Sequence, residues 1–294
     1  MNSNERFDVF KEITRKIVMR LAEGDIPWRK RWCSPVTEKL NYVSRREYSG
    51  INLLLLDKPG EYMTFNQCSK AGGKIRKGEK ASLVIKWIPF IPKSKKEEAE
   101  RLQQEGKSTE HLKRFLSGFD KVFHISQTEG LKSKSQCVQH SEARKPTDMA
   151  DFVVEEYSRE KGLRVVETPT DEVTYDPDEG TLTVPSRTQF PTEEQWYNTL
   201  FGGMVKAALA DLSQTQELEE EQDRRNPAKD ELAAEIGAAM VINGVGLEID
   251  ETQQDTMAEC TRWMKELNRD YRLIVNAASR AEKVARSILS PLIG

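Results

Sequence analysis

A polar segment at residues 131–149 divides this chain of 294 residues into two halves. The segment, LKSKSQCVQHSEARKPTDM, is rich in Ser and Lys and poor in large apolar residues, which is typical of a linker. A domain usually spans about 100–200 residues, so the length on either side suits one domain. We therefore expect domains at residues 1–135 and 148–294, each with a modest core of its own, and a linker at 136–147.

The two halves carry opposite charge. Residues 1–145 contain 30 Lys and Arg against 18 Asp and Glu, whereas residues 146–294 contain 15 against 30. A basic surface attracts phosphates and gains free energy from counterion release, so the first half is expected to bind a polyanion. Charge alone leaves open the alternative of two solvated surfaces that attract each other.

Several protein classes are disfavoured by the sequence. No run approaches the roughly 18 apolar residues that span a bilayer, and the first residues lack the apolar core of a signal peptide, which predicts a cytoplasmic protein without a membrane partner. The cysteines show no CxxC pairing and are expected to be reduced thiols; they are Cys33, Cys68, Cys137 and Cys260. The glycine-rich GGKIRKGEK lacks the P-loop form, and no cofactor is predicted.

The first half combines one helix with several strands. Apolar residues at three- and four-residue spacings predict an amphipathic helix at 4–23, which we expect to pack on an N-terminal sheet. EYMTF, ASLVIKWIPFI and DKVFHISQTEG are typical of strands. Residues 93–117 are highly charged and favour helix, so we expect an exposed insertion there.

The second half begins with short strands and continues into helices. A helix is predicted at 148–161, followed by strands at LRVVE, EVTYD and TLTVP. Further helices are predicted from Pro191 to 212, from Pro227 to Met240, and over 251–268 and 270–290. Strands followed by helices indicate an α+β fold, with a mixed α/β domain in the first half.

Three basic clusters in the first half are candidates for a nucleic-acid interface. The first, PWRKRW, places Arg29 and Lys30 between two tryptophans. Cations follow phosphates, and bases stack on aromatic rings at about 1–3 kcal/mol each, which is the combination that single-stranded nucleic acid needs. Trp28 follows Pro27 at a helix end and is expected in the core, whereas for Trp32 stacking and burial are equally open.

The other two clusters surround glycine-containing turns. Glycines at 72, 73 and 78 would let the backbone approach a ligand closely. One charged run is usually only a solvated face, but three clusters with interleaved aromatics predict nucleic-acid binding. The candidate contacts in SRREYSGIN and GGKIRKGEK are Arg45, Arg46, Tyr48, Asn52, Lys74, Arg76, Lys77 and Lys80.

These motifs resemble the N-terminal single-stranded-DNA-binding domain of plasmid antirestriction proteins of the ArdC type. The similarity covers about residues 7–130 and includes PWRKRW, NYVSRREYSGINLLLL, MTFNQCSKAGGKIRKGEK and KVFHISQTEG. The resemblance implies binding of DNA, preferentially single-stranded and with duplex DNA left open. It also implies protection of mobile-element DNA from a host restriction or other defence protein.

Residues 171–290 resemble the zincin-like metallopeptidase domain of the same family, in which an HExxH motif binds zinc. At the corresponding place this chain reads Gly202-Gly203-Met204-Val205-Lys206. HExxH needs two imidazoles as ligands and a glutamate as general base, and glycines supply neither. The chain's histidines lie before residue 148. We therefore predict a metal-free pseudo-metallopeptidase without catalytic residues.

The altered motif requires structural compensation. Each glycine within a helix costs about 1 kcal/mol relative to alanine, so we expect close packing around Gly202 and Gly203. One hypothesis places the Lys206 ammonium in the vacated cation position, paired with Glu231 or Glu235 of the following acidic helix. The alternative is a lysine that faces solvent, because its long stem readily reaches outward.

Other functions remain open from the residues alone. The acidic second half could act as a DNA mimic, and the insertion at 93–117 could serve as an interaction surface. A metal-independent hydrolase could use Asp176, Asp178 and Glu231, although DPDEG is more simply a turn.

Overall fold

The computed structural model describes residues 8–30, 33–135, 145–215, 227–248 and 253–293. Short strands and helices alternate in the first half, and long helices dominate the second. This arrangement confirms the predicted α+β class. Within the described residues, no helix combines the length and the apolar character needed to cross a bilayer.

The first half is built on a four-stranded sheet in the order β1-β2-β5-β4, in which only β1 and β2 run parallel. A separate antiparallel pair joins β3 and β6. The elements are α1 (Val9–Ala22), β1 (Lys39–Asn41), α2 (Asn52–Leu55), β2 (Gly60–Thr64), α3 (Phe65–Lys70), β3 (Lys74–Ile75), β4 (Ser82–Phe90), α4 (Lys96–Gln104), β5 (Arg114–His124) and β6 (Thr128–Glu129).

Strands β4 and β5 continue far beyond the rest of the sheet. Strand β2 pairs with β5 only at residues 122–124, whereas β4 pairs with β5 from Ser82 to Phe90. The outer parts of the two strands, residues 85–90 and 114–119, therefore form a two-stranded ribbon. The predicted insertion at 93–117 is largely exposed and contains α4, but its last residues, 114–117, belong to β5.

The second half contains a three-stranded sheet in the order β7-β9-β8, packed against helices. Helix α7 continues five residues beyond the predicted end at Met240, and α5 begins two residues before the predicted domain start, inside the proposed linker. The elements are α5 (Pro146–Lys161), β7 (Arg164–Thr168), β8 (Thr174–Asp176), β9 (Thr181–Pro185), α6 (Glu193–Thr215), α7 (Pro227–Val245), α8 (Gln253–Arg269), α9 (Leu273–Ile288) and α10 (Ser290–Ile293).

The main hydrophobic core is shared by the two halves. Helix α1 packs chiefly against α8, and its buried face joins one continuous cluster with side chains of α6, α7 and α9. The Thr14 hydroxyl donates to the Tyr271 carbonyl at 2.6 Å, and the Gly50 amide donates to the Glu282 carboxylate. The expectation that α1 packs on the sheet therefore holds only in part, since α8 is its main partner. The modest cores expected for the two halves merge in one large cluster, and two smaller clusters remain in the first half.

Candidate nucleic-acid interface and the altered zincin helix

The turn between α3 and β4 presents lysines to solvent. Gly72 and Gly78 have φ angles of +85° and +88°, which glycine adopts without strain. Lys74, Lys77 and Lys80 are exposed, and no hydrogen bond or ion pair of their ammonium groups occurs within the described residues. These three ammonium groups are thus available to an anion.

Arg76 differs from its lysine neighbours because its guanidinium is already engaged. It forms an ion pair with Glu79 at 3.0 Å and donates to the Ser126 carbonyl. A hydrogen bond from Gln127, together with the Arg76 pair, lowers the pKa of the Glu79 carboxyl. Arg76 therefore holds the turn against the segment that follows β5.

The second cluster contains one engaged arginine and one open arginine. Arg45 has a φ of +58° and pairs with the buried Glu61 carboxylate. Burial opposes ionisation of Glu61, but hydrogen bonds from the Lys134 amide, Ser133 and Arg45 outweigh it and lower the pKa of Glu61. Arg46 is exposed, and the described part of the chain offers its side chain no partner.

Two predicted contacts of this cluster are structural residues. The Asn52 amide is buried, donates to the Ile85 carbonyl at 3.0 Å and accepts from the Ile85 amide at 2.9 Å, which ties α2 to β4. Tyr48 is half-buried with its ring on the edge of Tyr62 at 6.0 Å, and burial raises its pKa. The prediction that Asn52 contacts DNA is therefore wrong, since both ends of its amide are used internally.

The first cluster faces the second half of the chain. Trp28 is fully buried, as expected, and its indole donates to Glu235 of α7 at 2.9 Å. Arg29 pairs with Glu259 of α8, and Lys30 pairs with Asp25 at 2.5 Å. Trp32 lies outside the described residues. The predicted cationic contacts Arg29 and Lys30 are thus partly neutralised by carboxylates.

The second and third clusters lie around one small core, away from the first. That core consists of Tyr42, Met63 and Cys68, with Ile75 and Leu131 packed against it. Tyr42 precedes the second cluster, and Ile75 lies within the third. One small core therefore packs both against the third cluster, through Ile75, and against the residues just before the second, through Tyr42.

Sequence reasoning missed an exposed aromatic surface on the ribbon. Trp87 and Phe115 retain 53% and 59% of their exposure, although strands usually bury such residues. No period-two pattern of ASLVIKWIPF pointed to it, because apolar residues occupy both faces of this strand. The sequence could not show that this part of the strands extends beyond the sheet.

Helix α6 carries the altered motif and packs tightly through one of its two glycines. A Cβ atom added at Gly203 would lie 2.7 Å from Val173 Cγ1 and 3.1 Å from Leu182 Cδ1, which is too close for an unstrained side chain. A Cβ added at Gly202 would meet no atom within 4 Å. The expected close packing is present at Gly203, the place of the family's general base, but not at Gly202.

The acidic helix α7 uses its carboxylates elsewhere. Glu235 accepts from two indoles, Trp28 at 2.9 Å and Trp263 at 2.8 Å, one on each oxygen. Glu231 pairs with Arg262 of α8. Lys206 is exposed, and neither glutamate is its partner. The hypothesis that Lys206 replaces the cation is therefore wrong, and the solvent-facing alternative is correct.

The residues present do not fit a catalytic zinc ion. A catalytic zinc site needs three protein ligands and an open position. Among the described residues, no group of three His, Cys, Asp or Glu side chains could hold a metal. A cavity of about 640 Å³ is lined by Glu235, Asn198 and Trp28, but both oxygens of Glu235 already accept from indoles.

Two family profiles match this chain, one in each half. Residues 7–123 match the profile of the N-terminal domain of anti-restriction factor ArdC, and residues 153–280 match that of a zincin-like metallopeptidase. The chain also resembles two crystal structures of the antirestriction protein ArdC from plasmid R388. The Mn(II)-bound one has a TM-score of 0.67 at 24% identity over 97% of this chain and 98% of that one; the metal-free one has a TM-score of 0.64.

Longer relatives contain the same region. Two DNA primases named TraC from Escherichia coli are 26% and 25% identical over 95% of this chain, which spans 20% and 27% of their lengths. The protein y4eC of Sinorhizobium fredii is 22% identical, covering 95% of this chain and 90% of that protein. The chain therefore contains a domain of the ArdC N-terminal type at residues 7–123, followed by a zincin-like metallopeptidase domain at residues 153–280.

Proposed function

We propose that this chain is a cytoplasmic DNA-binding protein of a mobile genetic element that prefers single strands and protects incoming DNA from a host defence protein. Its DNA-binding domain comprises residues 1–135, and residues 148–294 form a metallopeptidase-like domain that does not hydrolyse peptides. The names of its relatives, antirestriction protein and DNA primase, support a role in DNA handling.

The observation that carries the proposal is a group of exposed cations without carboxylate partners within the described residues. Arg46, Lys74, Lys77 and Lys80 are exposed, and Gly72 and Gly78 in the lysine turn have positive φ angles. Each phosphate contact contributes by counterion release, so such a group supplies affinity that does not depend on sequence.

A salt series tests the proposal. Binding of a labelled oligo-dT and of a duplex of equal length is measured by fluorescence anisotropy between about 50 and 200 mM salt. The variant Lys74→Ala/Lys77→Ala/Lys80→Ala is expected to bind oligo-dT more weakly. Its salt slope should be shallower by about 2, because each lost contact to a single strand removes about 0.7.

A second triple variant controls for net charge. Lys145→Ala/Lys206→Ala/Lys265→Ala removes the same charge from exposed lysines outside the first domain, one in the linker and two in the second domain. This control is expected to keep the affinity and the salt slope of the wild type. Equal losses in both variants, or no binding of oligo-dT by the wild type at low salt, would overturn the proposal.

The absence of peptidase activity is proposed from the residues of α6 and α7. Gly202, Gly203 and Lys206 offer neither ligand nor general base, and Glu235 is occupied by two indoles. Protein dialysed against Zn(II) or Mn(II) and then desalted is expected to retain far less than one metal ion per chain by mass spectrometry. Stoichiometric metal, or metal-dependent cleavage of casein, would contradict this part of the proposal.

A further inference from the structure

The ribbon has one face on which aromatic rings alternate between its two strands. Trp87 lies opposite Ser117, Phe115 opposite Pro89 and Phe119 opposite Ile85, and paired residues of antiparallel strands project to the same side. Successive rings are thus separated by two residues along the strand direction, or about 7 Å. Trp87, Phe115 and Phe119 are 53%, 59% and 40% exposed.

The charge on this face suits a polyanion. Its outer positions carry no carboxylate, and its one charged residue is the exposed Lys121. The opposite face carries one exposed ring, that of Phe90, and the exposed cations Lys86 and Arg114. Asp120 also lies on that side and pairs with Lys86 at 2.8 Å. The two faces therefore both expose apolar surface and cations, but the first has three exposed rings and no acidic residue at its paired positions.

The aromatic row continues beyond the ribbon onto the rest of the molecule. The rings of Trp87 and Phe10 have centroids 6.1 Å apart. The Arg272 guanidinium lies 5.3 Å from the Phe10 centroid, and Lys11 lies 5.6 Å from that of Tyr271. A path of alternating rings and cations thus runs from the ribbon across α1 to the junction of α8 and α9.

We infer that this aromatic face is a second contact surface for single-stranded nucleic acid, on which unpaired bases stack while the backbone follows the adjacent cations. The inference rests on the proposed function and adds bases to the phosphates held by the lysine turn. Rings with flanking cations and without carboxylates suit every base, because each base has a flat π-face. Duplex DNA has no free bases and cannot use this surface.

The charge pattern favours nucleic acid over a second copy of this chain. Residues 146–294 contain twice as many acidic as basic residues. Apolar contacts between two copies would not require one face of the ribbon to lack carboxylates, whereas binding of a polyanion would. Apolar exposure alone does not single out the aromatic face for a second copy, since Ile88 and Leu116 on the other face are 44% and 56% exposed. Base stacking instead requires the rings.

The experiment compares oligo-dT with an abasic oligonucleotide of equal length, which keeps the phosphates but lacks bases. The full-length variant Trp87→Ala/Phe115→Ala is expected to bind oligo-dT roughly 30-fold more weakly than the wild type, on two lost stacking contacts. Its binding of the abasic strand should be unchanged. The variant Ile88→Ala/Leu116→Ala removes similarly exposed apolar side chains from the opposite face and should behave as the wild type.

A single-site series guards against loss of folding. Trp87→Phe keeps a flat ring and should bind oligo-dT nearly as well as the wild type, whereas Trp87→Leu should not, although both retain apolar bulk. Equal binding by all ribbon variants, or equal loss on oligo-dT and the abasic strand, would overturn the inference while leaving the proposed function intact. The inference would also be overturned if the wild type self-associated in sedimentation experiments and Trp87→Ala/Phe115→Ala abolished this self-association while leaving oligo-dT binding unchanged. Failure of the wild type to bind oligo-dT would instead refute the proposed function.

Discussion

The adjacent glycines of α6 should respond in opposite directions to the same substitution. Alanine raises helix propensity at either position, which by itself stabilises the native state by about 1 kcal/mol. At Gly202 the added methyl meets open space, so the full gain is expected. At Gly203 it would lie 2.7 Å from Val173 Cγ1 and 3.1 Å from Leu182 Cδ1.

The size of the difference follows from these contacts. Val173 is β-branched and stiff, and Leu182 is fully buried, so neither can move aside without disturbing its neighbours. Overpacking of this kind costs about 1–3 kcal/mol. Gly202→Ala should therefore raise the free energy of unfolding by about 1 kcal/mol, and Gly203→Ala should lower it by up to about 2 kcal/mol.

Urea unfolding followed by circular dichroism measures both variants under identical conditions. The double variant Gly203→Ala/Val173→Ala should recover part of the loss, because the methyl then enters space that Val173 vacates; a double-mutant cycle gives the coupling. If Gly203→Ala proves as stable as Gly202→Ala, or if Val173→Ala shows no coupling to it, the tight contact of α6 with this sheet does not exist. A glutamate general base could then be restored at position 203.

Two further predictions concern buried polar groups. Trp28→Phe removes an indole donor from the Glu235 carboxylate and should lower the free energy of unfolding by about 1–3 kcal/mol. The indole of Trp196 donates to a neutral carbonyl at 3.0 Å, so Trp196→Phe should lower it by less. Equal losses in urea unfolding would contradict a special role for the carboxylate. Burial holds the pKa of His124 below its ordinary value, with Nε2 donating to the Pro59 carbonyl at 2.9 Å. The native state thus prefers the neutral ring, and the free energy of unfolding of the wild type should fall as pH drops below about 6.5. The fall should be steeper than in His124→Gln. Parallel pH profiles of the thermal unfolding temperature in the two proteins would refute this.

Local patterns in the sequence predicted most elements of the fold. The spacing of apolar residues in α1 and the β-branched run in β4 located both within a few residues, because these signals depend on neighbours along the chain. The absence of an HExxH motif from residues 146–294 was also visible directly, since it is a matter of residue identity. The profile matches confirm the resemblance of the first half to the ArdC N-terminal domain and of the second half to a zincin-like metallopeptidase.

Contacts between distant residues could not be predicted in this way. Arg29 has the composition of a phosphate contact, yet Glu259 lies beside it although the two are 230 residues apart in sequence. Asn52 belongs to a motif of the DNA-binding region, but the backbone of β4 uses its amide. Helix α1 has an apolar face that suits either a sheet or another helix, and only the tertiary structure shows which one covers it.

The burial of Trp28 against α7 has a consequence for how such a protein can change over time. A domain that contributes no activity is ordinarily free to degenerate or to be deleted. Here the second half supports the first half structurally, through Glu235 and through the cluster shared with α1. Removing the second half would expose the apolar face of α1 and the Trp28 ring, so selection for the basic half is enough to preserve its partner.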